Sequence, residues 1–202
     1  GNLTINGEVS SNETVTIDLP GSLNITGAGI SGDQGVTLNG GADLSISGDI
    51  ASEAGGITIN TTGGTISLTG GLDAALGATV VSSGDLSLGD DSDVTGELTL
   101  QSTGGSVSVS GNLTVSQDVT IEAPTRFVDI SGGVSSTSGT VLVDVGDYLT
   151  LTGSLGAALG ATLTAENTIT IGSGATVTGS LAITSTSGNL EVSGGLSATG
   201  DI

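Results

Sequence analysis

LTINGEVSSNETVTIDLPGSLNI, residues 3–25, decides how this chain is read. Leu3 and Ile5 flank Thr4, and Val15 and Ile17 flank Thr16. Leu23 and Ile25 then repeat the first triplet 20 residues on. Alternating apolar and polar side chains over three positions mark a short strand with one buried face. A lone apolar residue, Val9, stands between the two triplets, and the segments around it carry Gly, Asn, Ser and Glu. Gly, Asn and Ser suit tight turns.

Outward from this stretch the pattern continues to the end of the chain. The first triplet recurs at Leu44/Ile46, Ile66/Leu68, Leu86/Leu88, Val107/Val109, Val128/Ile130, Leu149/Leu151, Ile169/Ile171 and Leu190/Val192, at spacings of 20 to 22 residues. The second recurs at Val36/Leu38, Ile57/Ile59, Ala78/Val80, Leu98/Leu100, Val119/Ile121, Val141/Val143, Ala161/Leu163 and Leu181/Ile183. Lone apolar residues fall between them at Ile30, Ile50, Leu72, Val94, Leu113, Val134, Leu155, Val177 and Leu196. Each period of about 21 residues thus has three stations, two long and one short, separated by turns. Three short strands and three turns make a triangular coil. Because one coil cannot bury its own apolar face, coils must stack on one another. The fold class expected is all-β, a parallel β-solenoid of about ten coils in one segment, 1–202, rising about 48 Å at the strand spacing.

A longer period overlies the coil. AALGAT occurs at 74–79 and again at 157–162, an offset of 83 residues, or four coils. The same offset carries Leu3 to Leu86, Ile30 to Leu113, Leu86 to Ile169 and Val107 to Leu190. Neither end reads as capped, so the segment is expected to belong to a longer array or fibre.

Composition narrows function. The charge is −20, from 21 acids against Arg126 alone, with no His, Cys or Lys. Nucleic-acid binding is excluded because nothing neutralises phosphates, and docking on anionic lipid is disfavoured likewise. No apolar run approaches the length of a membrane span. The mean hydropathy of +0.34 excludes a disordered polar tract.

GNLTINGEV (1–9), ADLSISGDI (42–50), GTISLTGGL (64–72) and GNLTVSQDVTI (111–121) resemble the coils of filamentous-haemagglutinin-type shafts of large bacterial exoproteins. The resemblance implies a right-handed parallel β-helix, secreted and displayed at the bacterial cell surface as an adhesin stalk. Contacts to a host-cell, glycan or matrix surface would then lie in other parts of the protein. The expected function is a structural, adhesive rod without catalysis. The alternatives are a self-assembling subunit of an extracellular or biofilm matrix fibre, joined end to end, and an ice-binding solenoid.

Four groups of residues invite a site. The middle residues of the second triplet, Thr16, Thr37, Thr58, Thr79, Thr99, Thr120 and Thr162, form a hydroxyl and methyl file interrupted by Leu142 and ended by Ala182. Such a file could order water, although Thr is also simply a soluble strand former. Asp90, Asp91 and Asp93 place three carboxylates in one turn and could supply oxygens to calcium, the one cofactor considered. Their four-coil counterpart, GSGATVTG (172–179), has no acid, so a solvated acidic turn is the simpler account. Phe127 and Tyr148, 21 residues apart with Arg126 alongside, are a possible contact patch whose rings should stack. Asn2, Asn12, Asn24, Asn60 and Asn112 each head an N-x-[ST] sequon, which matters only in a host that glycosylates asparagine.

Overall fold

The computed structural model describes residues 1–202. Its first coil is β1 (Leu3–Asn6), β2 (Val9–Ser11) and β3 (Thr14–Leu19). Every later coil repeats these three strands, and no helix is present. First strands pair only with first strands of neighbouring coils, second with second and third with third, giving parallel sheets of ten, ten and nine strands. We call them sheets 1, 2 and 3. Nine complete coils and two strands of a tenth thus form a β-solenoid of triangular cross-section.

Register follows the aliphatic triplets. Leu3 opposes Leu23, Leu23 opposes Leu44 and Ile66 opposes Leu86 in sheet 1. In sheet 3, Val15 opposes Val36, Leu98 opposes Val119 and Ala161 opposes Leu181. Like side chains stack into ladders because a one-residue slip would turn every inward aliphatic outward. The result is one continuous core of 47 buried residues from Val15 to Leu181. Leu190 and Val192, whose strand has a neighbour on one side only, remain 49% and 39% exposed.

Sheet 2 corrects the expected single apolar station. Its strands carry two inward side chains, a large one and then a small one: Leu72/Ala74, Val134/Ser136 and Leu155/Ala157 are all buried. Val94 is not the counterpart of Leu72 and Leu113. It lies beside Ala74 and Val115, while Ser92 faces Leu113. Val177 likewise pairs with Ala157, and Ala175 with Leu155. In both coils the order is small then large, so the volume inside the triangle is kept while the places are exchanged. Ser92/Val94 and Ala175/Val177 are 83 residues apart, so the four-coil period reaches into the packing.

The turns are held by side chains as much as by backbone. Ser52, Ser102 and Ser136 are buried and accept hydrogen bonds from Gly55 N, Gly105 N and Gly139 N at 3.1, 2.9 and 2.9 Å. The Ser52 and Ser136 turns absorb the extra residue in the two longest gaps, Ile50 to Ile57 and Val134 to Val141. Between first and second strands, coils approach so closely that a Cβ on Gly132 would overlap the Gly111 carbonyl. No buried side-chain polar atom lacks a partner.

Candidate functional site

The threonine file is assembled as its spacing requires. Thr16 opposes Thr37, Thr37 opposes Thr58, Thr79 opposes both Thr58 and Thr99, and Thr99 opposes Thr120. Leu142 then stands between Thr120 and Thr162, and Ala182 follows. The next outward file of sheet 3 carries amides and acids, interrupted by Val81 between Asn60 and Gln101 and followed by Thr164 and Thr184. Asn39 Nδ2 donates to Asp18 Oδ1 at 2.5 Å, Asn60 Nδ2 to Asn39 Oδ1 at 3.2 Å, and Gln101 Nε2 to Glu122 Oε2 at 2.6 Å. Sheet 3 therefore presents one hydroxyl file beside two short hydrogen-bonded runs, Asp18–Asn39–Asn60 and Gln101–Glu122, separated by Val81.

Sheet 1 carries a hydroxyl surface that the sequence reading passed over. Ser45, Ser67, Ser87 and Ser108 are successive outward partners. A second file, including Ser47, Thr69, Ser110 and Ser131, runs along the adjoining corner. Thr69 Oγ1 donates to Ser47 O at 3.2 Å, and Ser110 Oγ to Gly89 O at 2.9 Å. These corner hydroxyls tie one coil to the last. The signal was present in the triplets themselves, whose middle residues are Ser or Thr except at Asn24, Asp129 and Glu191.

Asp90, Asp91 and Asp93 are brought together with two acids that sequence reasoning did not connect to them. Asp49 and Asp73 line the same shallow groove, with Thr114. Asp73 and Asp93 oppose each other in adjacent coils, an arrangement that like charges make costly. The other three are committed to the backbone. Asp91 Oδ1 accepts from Asn112 N at 2.7 Å, Asp90 Oδ1 from Asp91 N at 2.9 Å, and Asp49 Oδ1 from Gly71 N at 3.0 Å. No three acids in the molecule converge in a metal-binding arrangement.

The same chemistry recurs at the other corners. Asp43 Oδ1 accepts from Thr65 N at 2.9 Å and Asp85 Oδ1 from Ser106 N at 2.8 Å, each one coil on. Asp118 Oδ1 accepts from both Thr140 N and Thr140 Oγ1, at 2.7 and 2.9 Å. Those two bonds, the backbone one first, hold its carboxyl below the usual aspartate value, with a small opposing effect of burial. The acids thus act as cross-coil acceptors for turn N–H groups, a role invisible until the coils are stacked.

Phe127 and Tyr148 stack with centroids 4.9 Å apart and planes 5° from parallel. This separation is the coil spacing, so the rings continue the ladder. One face of each is covered by the other, and Tyr148 remains 40% exposed. Arg126 is exposed beside them, its carbonyl accepting from Asp147 N at 3.1 Å.

The class defined by these observations is a parallel β-solenoid whose polar side chains serve chiefly to join coils. The chain matches no family model, no curated protein and no solved structure.

Proposed function

We propose that this chain is a passive structural rod, a segment of the stalk of a bacterial surface adhesin, working outside the cell. The observation that carries the reading is the unbroken pairing of all three sheets over one core. Bending such a rod must stretch backbone hydrogen bonds on one side of the triangle, so each coil resists with its neighbours. Length is then set by coil number, about 4.8 Å per coil and about 19 Å per four-coil unit. The cross-coil role of the acids supports a structural rather than a catalytic use. The −20 charge keeps rods apart at low ionic strength, and a single Lys/Arg site leaves trypsin-like proteases little to cut.

The test changes length without changing surface. In the full-length protein on its producing cells, removing or adding one 83-residue unit is expected to change adhesion through reach, while the isolated rod binds no host glycan or matrix. Adhesion indifferent to shaft length, together with glycan binding by the isolated rod, would replace a spacer with a binding module. Polymers of the isolated chain under electron microscopy would replace it with a matrix-fibre subunit.

A further inference from the structure

The corner between second and third strands carries a regularity that the core does not require. Gln34, Gly55, Leu76, Gly96, Gln117, Gly139, Leu159 and Gly179 form a single file, one residue per coil. Leu76 N donates to Gly55 O at 3.1 Å, Gln117 N to Gly96 O at 3.2 Å and Leu159 N to Gly139 O at 2.9 Å. Side chains therefore alternate with glycine over these eight coils, while Glu13 before Gln34 and Gly200 after Gly179 extend the file without alternating. A Cβ on Gly55, Gly96 or Gly179 would overlap the backbone of Gln34, Leu76 or Leu159, so these coils present no side chain between the knobs. The knobs stand about 9.6 Å apart, twice the strand spacing. Leu76 is 71% exposed and Leu159 66%. Both occur in AALGAT, 83 residues apart, and both precede a glycine at positive φ, 122° at Gly77 and 151° at Gly160.

Charge is divided along the same corner. Glu13 heads the file and Asp33, Glu53, Glu97 and Asp118 flank it in coils 2, 3, 5 and 6, whereas segments 74–78, 137–140, 157–161 and 178–181 of coils 4, 7, 8 and 9 contain no acid.

We propose that this corner is a self-docking edge, and that its partner is a second, antiparallel copy of this chain. With coil 4 of one copy against coil 7 of the other, Leu76 meets Gly139, Leu159 meets Gly55, Gln34 meets Gly179 and Gln117 meets Gly96. Each contact is reciprocal, so a two-fold axis closes the pair. Each knob enters a gap left by glycine, and Asp33 and Glu53 in coils 2 and 3 of one copy face the acid-free corners of coils 9 and 8 of the other. Among these eight coils that leaves Glu97 of coil 5 against Asp118 of coil 6 as the one acidic contact, to be screened by salt. Parallel pairing, shifted by one coil to seat the knobs, would set Glu13 on Asp33 and Asp33 on Glu53 as well as Glu97 on Asp118. The contact is lateral, and it stands whether or not the rod is an adhesin stalk.

The experiment is sedimentation of the 202-residue chain across a range of ionic strength. A dimer should appear and strengthen with salt, because net repulsion is screened. The double variant Leu76→Ser/Leu159→Ser changes only exposed positions. It should raise the dimer dissociation constant by more than about tenfold without lowering the melting temperature. Direction is read by cross-linking, since the chain has no cysteine. Mixed Ala54→Cys and Ala158→Cys chains, in coils 3 and 8, should form the mixed disulfide in preference to either homodimer. A monomer at every ionic strength, a dimer untouched by the double variant, or dominant homodimer disulfides would each overturn the proposal.

Discussion

Sheets 2 and 3 wind through the same coils and share one core, yet they fill it differently. Sheet 3 turns two aliphatic side chains inward at the triplet positions of every strand, reduced there to Ala at Ala78 and Ala161, and follows them with a third inward place that varies from Thr61 and Ser82 to Ala123 and Val145. Sheet 2 mostly pairs one large residue with one small, in two coils exchanges their order, and in coil 6 alone turns two large residues, Leu113 and Val115, inward. The triangle therefore has one side that tolerates exchange and one that stacks like on like. What the solenoid conserves is volume per coil rather than residue type at each station, in keeping with close packing of protein interiors.

The largest effect should come from breaking sheet 3. Leu100 is buried between Val80 and Ile121 in its ladder. Leu100→Ala should cost about 2–5 kcal/mol, read as a fall in the denaturation midpoint. Sheet 2 should show compensation. Ser92→Leu alone overfills the coil and removes the hydroxyl that accepts from Leu72 N at 3.0 Å, with an expected cost of about 1–3 kcal/mol. Ser92→Leu with Val94→Ala restores the large-then-small order of the preceding coil, Leu72/Ala74, and should be more stable than Ser92→Leu. A double variant worse than the single one would show that order, not volume, is what coil 5 needs.

The smallest effect concerns a turn that joins coils without entering the core. The Asp118 carboxyl is held below its usual value by Thr140. The unfolded chain therefore takes up this proton at a higher pH than the folded one. The stabilisation is complete above the unfolded value, about 4, and is lost as pH falls through the lower folded value. In melting curves taken from about pH 5 down to about pH 2, the wild type should lose slightly more stability than Asp118→Asn. Equal losses would leave the Thr140 bonds without a role in stability.

Legibility in the sequence followed the same division. Sheets 1 and 3 could be read directly because large aliphatics stand at both inward places, which fixes register twice per strand. Sheet 2 was read two residues out at Val94 and Val177, because Ser, Ala or Gly at one inward place looks like turn sequence. The aromatic stack was legible from the 21-residue interval between Phe127 and Tyr148. The acceptor role of Asp43, Asp85 and Asp118 was not, since each partner lies one coil away at a corner whose length varies. The alternating file of Gln34, Leu76, Gln117 and Leu159 was hidden for the same reason.

Nitroxide pairs along the threonine file test the stacked coil most directly. Labels at Thr16 and Thr99, four coils apart, should lie about 19 Å from each other, and labels at Thr16 and Thr162, seven coils apart, about 34 Å. Separation that grows in proportion to coil number is the predicted result. A Thr16–Thr162 distance no greater than that of Thr16–Thr99 would contradict it.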